Sequence, residues 1–129
     1  MDKKILMADD DPDVIEIFSM LLEDEGYEMV TAKDGAEALE KIRQESPDLI
    51  ILDLLMPRVD GFAVFNSLRE PDFEQWSKTP VIILTSVREE VSNRRYELET
   101  GRKMDYAAYL EKPADPDLLL ETVSSLLGV

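Results

Sequence analysis

Four apolar runs in this 129-residue chain each end on side chains able to do chemistry. Asp9, Asp10 and Asp11 follow the first, and Asp53 follows the run at 49–52. Thr85 and Ser86 follow the third, and Lys112-Pro113 follows the last. Asp53 poses the sharpest question. Leu49 to Leu52 suit a strand buried on both faces, as in a parallel sheet, so a carboxylate on its last rung meets little water.

Taken singly, each residue has a bland reading. An Asp before Pro57 and Gly61 is ordinary turn chemistry. Thr85 could be a strand-end hydroxyl satisfied by backbone, and Lys112 a solvated lysine. Collected at one edge of a sheet they mean more. Asp9, Asp10 and Asp53 in one crevice would raise one another's pKa values unless a cation joined them. A hard divalent ion with oxygen ligands resolves the conflict, and Mg²⁺ tolerates few protein ligands. A calcium loop starting at Asp9 is excluded, because Val14 holds its turn-glycine position and Met20 its closing glutamate position.

The elements that would position these residues follow from periodicity and punctuation. Strands are predicted at 5–8, 27–31, 49–52, 81–84 and 107–110. Asp11-Pro12 caps a first helix, carried by Val14, Phe18, Leu21 and Leu22 and stopped at Gly26. Asp34-Gly35 opens a second helix with Ala38, Leu39 and Ile42, and a third runs from Gly61 to Leu68. An irregular stretch is expected over 70–79, then a fourth helix over 88–100. Asp115-Pro116 caps a fifth, ending near Leu127.

Five strands alternating with five helices imply an α/β fold with a parallel sheet. The flavodoxin-like doubly wound order 2-1-3-4-5 is the common five-strand solution, and its ligands sit at the carboxyl ends near the β1/β3 switch point. That order makes the first and third strands neighbours, so Asp9 and Asp10 face Asp53, with Thr85 and Lys112 on the same rim. One domain over 1–129 is expected from the length and the absence of repeats or linkers.

Composition narrows the function. The net charge of −15, from 29 acids against 14 bases, repels phosphate backbones, so no direct nucleic-acid partner is expected. There is no cysteine for thiolate chemistry and no histidine to act as base, metal ligand or phosphoryl carrier. No apolar run approaches the ~20 residues of a membrane span. Met1-Asp2-Lys3-Lys4 leads directly into the first strand, so no secretory leader and a cytoplasmic location are expected.

The chain resembles a response-regulator receiver domain of two-component signalling, of the chemotaxis-regulator kind. The matching stretches are "KKILMADDDPDV", "EGYEMVTAKDGAEALEKI", "PDLIILDLLMPRVDGF", "PVIILTS" and "AAYLEKP", in order over nearly the whole chain. The resemblance implies that Asp53 is the phosphoacceptor. It implies that Asp9, Asp10, Asp53 and the main-chain carbonyl of Leu55 hold Mg²⁺, with Asp9 acting largely through water. Lys112 would bind the phosphoryl group, Thr85 would be the switching hydroxyl and Tyr109 the switch aromatic. The implied partners are a sensor histidine kinase or histidine phosphotransfer protein, and an output protein or effector domain. A monomer or a phosphorylation-dependent dimer is expected, with no membrane partner.

Such a module is a switch rather than an enzyme, at most catalysing its own phosphoryl transfer and autodephosphorylation. A pseudo-receiver is disfavoured by the filled site positions. A haloacid-dehalogenase-type phosphatase is disfavoured because Leu55 stands where its second Asp is needed, and no cap domain is present. Departures from the family pattern are "ETGRKMDY" before the fifth strand, the long "REPDFEQWSKT", and Ala114 where phenylalanine is frequent.

The resemblance also places the output surface on the fourth helix, fifth strand and fifth helix. On the fourth helix the apolar residues are a thin stripe of Val87, Val91 and Leu98, interrupted by Arg94 and Arg95, which predicts a loosely held element. On the fifth, Leu119, Val123 and Leu126 are expected to face the sheet, with Leu118, Leu120 and Leu127 widening the apolar arc.

Overall fold

A computed structural model describes residues 2–128; the expected bounds of 1–129 include Met1 and Val129, which lie outside the described residues. Strands β1 (Lys4–Ala8), β2 (Glu28–Ala32), β3 (Leu49–Leu52), β4 (Val81–Thr85) and β5 (Ala108–Glu111) form one parallel sheet in the order β2-β1-β3-β4-β5. The helices are α1 (Pro12–Asp24), α2 (Gly35–Glu45), α3 (Gly61–Ser67), α4 (Glu89–Thr100) and α5 (Pro116–Leu127). The expected fold and strand order therefore stand, with one end shifted by one residue at β1 and β4 and both ends at β2 and β5. The stretch read as irregular contains a 3₁₀ helix, Pro71–Trp76, which sinks Phe73 into the core.

Alternation along the strands divides the core between two faces. Leu6, Ile50, Leu52 and Ile83 pack with Ala38 and Ile42 of α2, Phe62, Val64 and Phe65 of α3, and Tyr96 of α4. Ile5, Met7, Leu49, Ile51, Ile82 and Leu84 pack with Leu22 of α1 and with Leu119 and Val123 of α5. Central strand β3 is buried at every residue, which is why it reads as an unbroken apolar run.

Local chemistry sets the helix starts. Asp11, Asp34, Asp60 and Asp115 each accept a backbone N–H in the first turn of α1, α2, α3 and α5. Asp11 is thereby used as the cap expected of it. Gly26, at φ 95°, takes the left-handed position just beyond the end of α1.

Two readings of helix faces need correction. The stripe assigned to α4 points outward: Val91 is 52% and Leu98 78% exposed. The buried face is instead Ser92 and Tyr96, one turn apart. A serine and a tyrosine carry little hydropathy signal, so the true inner face was invisible to periodicity. On α5, Leu119 and Val123 are fully buried as expected, but Leu126 turns outward with Leu118, while Leu120 and Leu127 pack against the core.

Candidate functional site

The parallel registers of β1, β3 and β4 bring their carboxyl ends to one edge. Ala8 pairs with Leu52, and the next residues, Asp9 and Asp53, stand side by side. The Asp53 amide donates to the Ala8 carbonyl at 2.9 Å, and the Asp9 amide to the Ala32 carbonyl at 3.0 Å. Both carboxylates are thus carried on hydrogen-bonded backbone, where positions are set by the sheet rather than by a loop. Each is nearly sealed from solvent, whereas Asp10 is exposed.

The three carboxylates each place an oxygen within 4.8 Å of the others. Asp9 Oδ1 accepts the Asp11 amide at 2.9 Å, and Asp53 Oδ1 accepts the Leu55 amide at 3.1 Å. Asp9 Oδ2 and Asp53 Oδ2 face Lys112, whose Nζ lies 2.8 Å and 3.2 Å away. The contact to Asp53 has hydrogen-bond geometry. The contact to Asp9 is an ion pair without it, leaving Asp9 Oδ2 buried with no directional partner.

Burial pushes the Asp9 carboxyl above its ordinary range, and the charge of Asp53 adds to this; Lys112 and the Asp11 amide offset it only in part. For Lys112, burial alone would depress the ammonium, but Asp9 and Asp53 together outweigh it and hold its pKa above the usual lysine value. One ammonium therefore compensates the buried Asp9 carboxylate incompletely. An oxygen-lined cluster of two buried carboxylates and an exposed third acid fits a hard divalent cation that keeps part of its water shell.

Thr85 sits at the end of β4, fully buried, and its hydroxyl has no partner among the described residues. The bland expectation of a backbone-satisfied hydroxyl is thus overturned. Its carbonyl accepts the Lys112 amide at 2.7 Å, which ties the two residues at the same rim. The Lys112–Pro113 peptide is cis.

Tyr109, on β5, donates its hydroxyl to the Val87 carbonyl at 2.7 Å. Its single proton being so used, the 2.7 Å contact with Ser92 Oγ has the serine as donor. Sequence reasoning missed the residues around it. The Tyr106 ring lies tilted by 60° against Tyr109 with centroids 5.2 Å apart, and its hydroxyl donates to the Glu89 carboxylate and accepts from Asn93 Nδ2 at 2.9 Å. Nothing in "DYAAY" marked the pair, since residues three apart would fall on opposite faces of a regular strand and Tyr106 precedes β5.

The loop from Asp53 to Gly61 was legible as a turn but not in its detail. A Cβ on Gly61 would lie 2.0 Å from the Asp53 carbonyl oxygen, so only glycine fits. Arg58 adopts a left-handed φ of 65° and reaches the buried Asp34 carboxylate, which holds the loop against α2. The Glu37 amide, then Arg58, keep that carboxyl below its ordinary range. Beside the acids an open cleft of about 420 Å³ is bordered by Asp10, Pro12, Ile15, Thr31 and Lys33.

Comparison with known proteins gives a consistent answer. Residues 5–124 match the family model of the response regulator receiver domain. The chain is 35% identical over 127 residues to the alkaline phosphatase synthesis transcriptional regulatory protein PhoP of Bacillus subtilis, covering 98% of this chain and 49% of that protein. It is 31% identical to protein PilH of Pseudomonas aeruginosa, covering 97% of this chain and 98% of PilH. The solved structure of chemotaxis protein CheY4 of Vibrio cholerae is similar with a TM-score of 0.83 at 31% identity, over 98% of this chain and 99% of that one. The chain spans about half the length of the first curated relatives it matches.

Proposed function

The chain belongs to the response regulator receiver family, and from that premise we propose that Asp53 is its phosphoacceptor, with Asp9, Asp10, Lys112 and Thr85 as the working side chains. Receivers are the phosphoacceptor switches of two-component signalling and exchange with histidine kinases, phosphotransfer proteins and effector domains. The observation that carries the residue assignment is the placement of Lys112 Nζ at 3.2 Å from Asp53 Oδ2 and 2.8 Å from Asp9 Oδ2.

An Asp53 carboxylate oxygen attacks the phosphorus of a phosphohistidine. The new O–P bond forms as the P–N bond breaks, and the imidazole leaves on the partner. A carboxylate nucleophile has no proton to lose, so no side-chain base is required, and the lack of histidine is no obstacle. Catalysis reduces to position and charge. Lys112 moves its ammonium from the carboxylate pair to the incoming phosphoryl oxygens, a charge-assisted contact.

Asp9, Asp10, Asp53 and the Leu55 carbonyl would hold Mg²⁺. The ion would neutralise phosphoryl oxygens and offset the desolvation of Asp9 together with its repulsion from Asp53. Water attack on the same phosphorus would break the O–P bond, releasing inorganic phosphate and returning the free carboxylate.

The switch follows from the orphaned hydroxyl. Thr85 Oγ1 has no partner among the described residues, and donating to phosphoryl oxygens within reach would draw the β4–α4 connection inward. Val87, two residues on, is the acceptor for Tyr109, so that movement frees the ring. The output surface would be α4, β5 and α5, open to an effector domain or to a second copy after phosphorylation. The unit that acts this way is the receiver over 1–129.

Incubation with a phosphorylated histidine kinase or acetyl phosphate and Mg²⁺, followed by borohydride trapping and mass spectrometry, tests the assignment. The reduced adduct is expected at Asp53 alone and absent in Asp53→Ala. An adduct retained in Asp53→Ala would place the acceptor elsewhere.

A further inference from the structure

Asp60 is the N-cap of α3, accepting the Ala63 amide at 2.9 Å, and its other carboxylate oxygen meets Arg95 of α4 at 3.2 Å. Arg95 is fixed from two further sides: Glu99 binds its Nε at 2.8 Å, and the guanidinium lies 4.1 Å over the Phe62 ring. The next residue after Asp60, Gly61, abuts the phosphoacceptor's own peptide. Its Cα leaves no room for a Cβ against the Asp53 carbonyl oxygen and Leu54 Cα, and its amide donates to the Leu54 carbonyl at 3.1 Å.

Backbone packed this closely transmits displacement instead of absorbing it. A shift of the Asp53–Leu54 peptide is therefore felt at Gly61, then at the Asp60 cap, then at Arg95 and the last two turns of α4. The route to Val87 and Ser92 through Thr85 and Tyr109 enters α4 at the opposite, N-terminal end. Neither set of contacts shares a residue with the other.

We propose that the Asp60–Arg95 pair is a second line of coupling from the phosphoacceptor to α4, acting on its C-terminal half independently of Thr85 and Tyr109. The inference rests on Asp53 being the phosphoacceptor. Its consequence is that α4 receives the signal at both ends, so the helix moves as a body instead of fraying from its first turn. Because Asp60 and Arg95 are partly solvent-exposed, the link is weak by design and biases a population without locking it.

Amide chemical shifts of ¹⁵N-labelled protein, with and without beryllofluoride and Mg²⁺, test this. Asp60→Asn keeps a good N-cap but removes the ion pair, and Arg95→Gln removes it from the other side. In each variant the ligand-induced shifts at residues 95–99 should fall about two- to fivefold, the span that an exposed ion pair represents. Those at 87–92 should stay as in the wild type, and the double variant should lose no more than either single one. Full shifts at 95–99 in both variants, equal losses at both ends of α4, or additive losses in the double variant would each overturn the link. A bound-fluorine signal reads occupancy of Asp53 separately. Its absence in the wild type would overturn the phosphoacceptor reading, and the link with it.

Discussion

Helices α4 and α5 lie on opposite faces of the same edge of the sheet and are held by opposite kinds of force. α5 buries Leu119 and Val123 completely, with Leu120 and Leu127 packed behind them. α4 buries only Ser92 and Tyr96, and the rest of its attachment is polar: Ser92 to Tyr109, Asn93 to Tyr106, Tyr96 to Asn66 and Arg95 to Asp60. Apolar burial has no equal-energy alternative in water. Hydrogen bonds and exposed ion pairs can be exchanged for water or for new partners at small net cost. A helix attached in the second way can change state without unfolding the domain; one attached in the first way cannot.

The largest expected effect comes from breaking the α5 side. Leu119→Ala should cost about 2–5 kcal/mol, the range for emptying a sealed core position, measured by urea unfolding. Leu98→Ala, on the outer face of α4, should stay within about 0.5 kcal/mol. Similar losses for the two would erase the contrast between the helices.

Metal sharpens the contrast from the rim. Mg²⁺ at about ten times its Kd should add about 1.4 kcal/mol of stability to the whole fold. Because it touches neither helix, Mg²⁺ alone should leave the local opening of α4 unchanged and slow only amides that exchange through global unfolding. Asp53→Asn should stabilise the metal-free protein by relieving the clustered charge. The pH dependence follows from Asp9, whose folded pKa is raised. Its contribution to metal-free stability is full below the ordinary carboxylate pKa and lost as pH rises through the folded value. The thermal shift produced by Mg²⁺ should therefore be largest near neutrality. It should shrink on acidification from above the ordinary carboxylate range of about pH 4.

Smaller effects are expected where single polar links of α4 are cut. Tyr96→Phe removes the hydrogen bond to Asn66 while keeping the edge-to-face contact with Phe65, and should cost about 1 kcal/mol. Tyr109→Phe should cost about as much in denaturant unfolding, yet speed amide exchange in the first turns of α4 specifically. A uniform acceleration across α4 and α5 would mean the tyrosine supports the whole edge.

Much of this was legible in the residues themselves. The apolar run at 49–52 with Asp53 at its end, and the Asp caps before Pro12, Gly35 and Pro116, announced the fold because strand burial and capping leave local signatures. Thr85 and Lys112 were legible as strand-end residues, and the topology then brought them to the acids. The α4 attachment was not legible. Its contacts depend on partners 13 to 35 residues away, Tyr106 and Asp60 among them, and on side chains that no hydropathy pattern marks. Arg58 in a left-handed conformation and the Gly61 contact with Asp53 were equally hidden, because both express tertiary fit.

With Asp53 as the proposed phosphoacceptor, charge gained there is read out through α4 while the α5 core stays fixed. Hydrogen exchange with and without beryllofluoride and Mg²⁺ tests it most directly, since that complex stands in for a phosphorylated aspartate. Protection should change across residues 85–112, with α4 foremost, and stay constant at the buried turn from Leu119 to Val123. Changes confined to the surroundings of Asp9, Asp10 and Asp53, or spread equally into the α5 core, would contradict it.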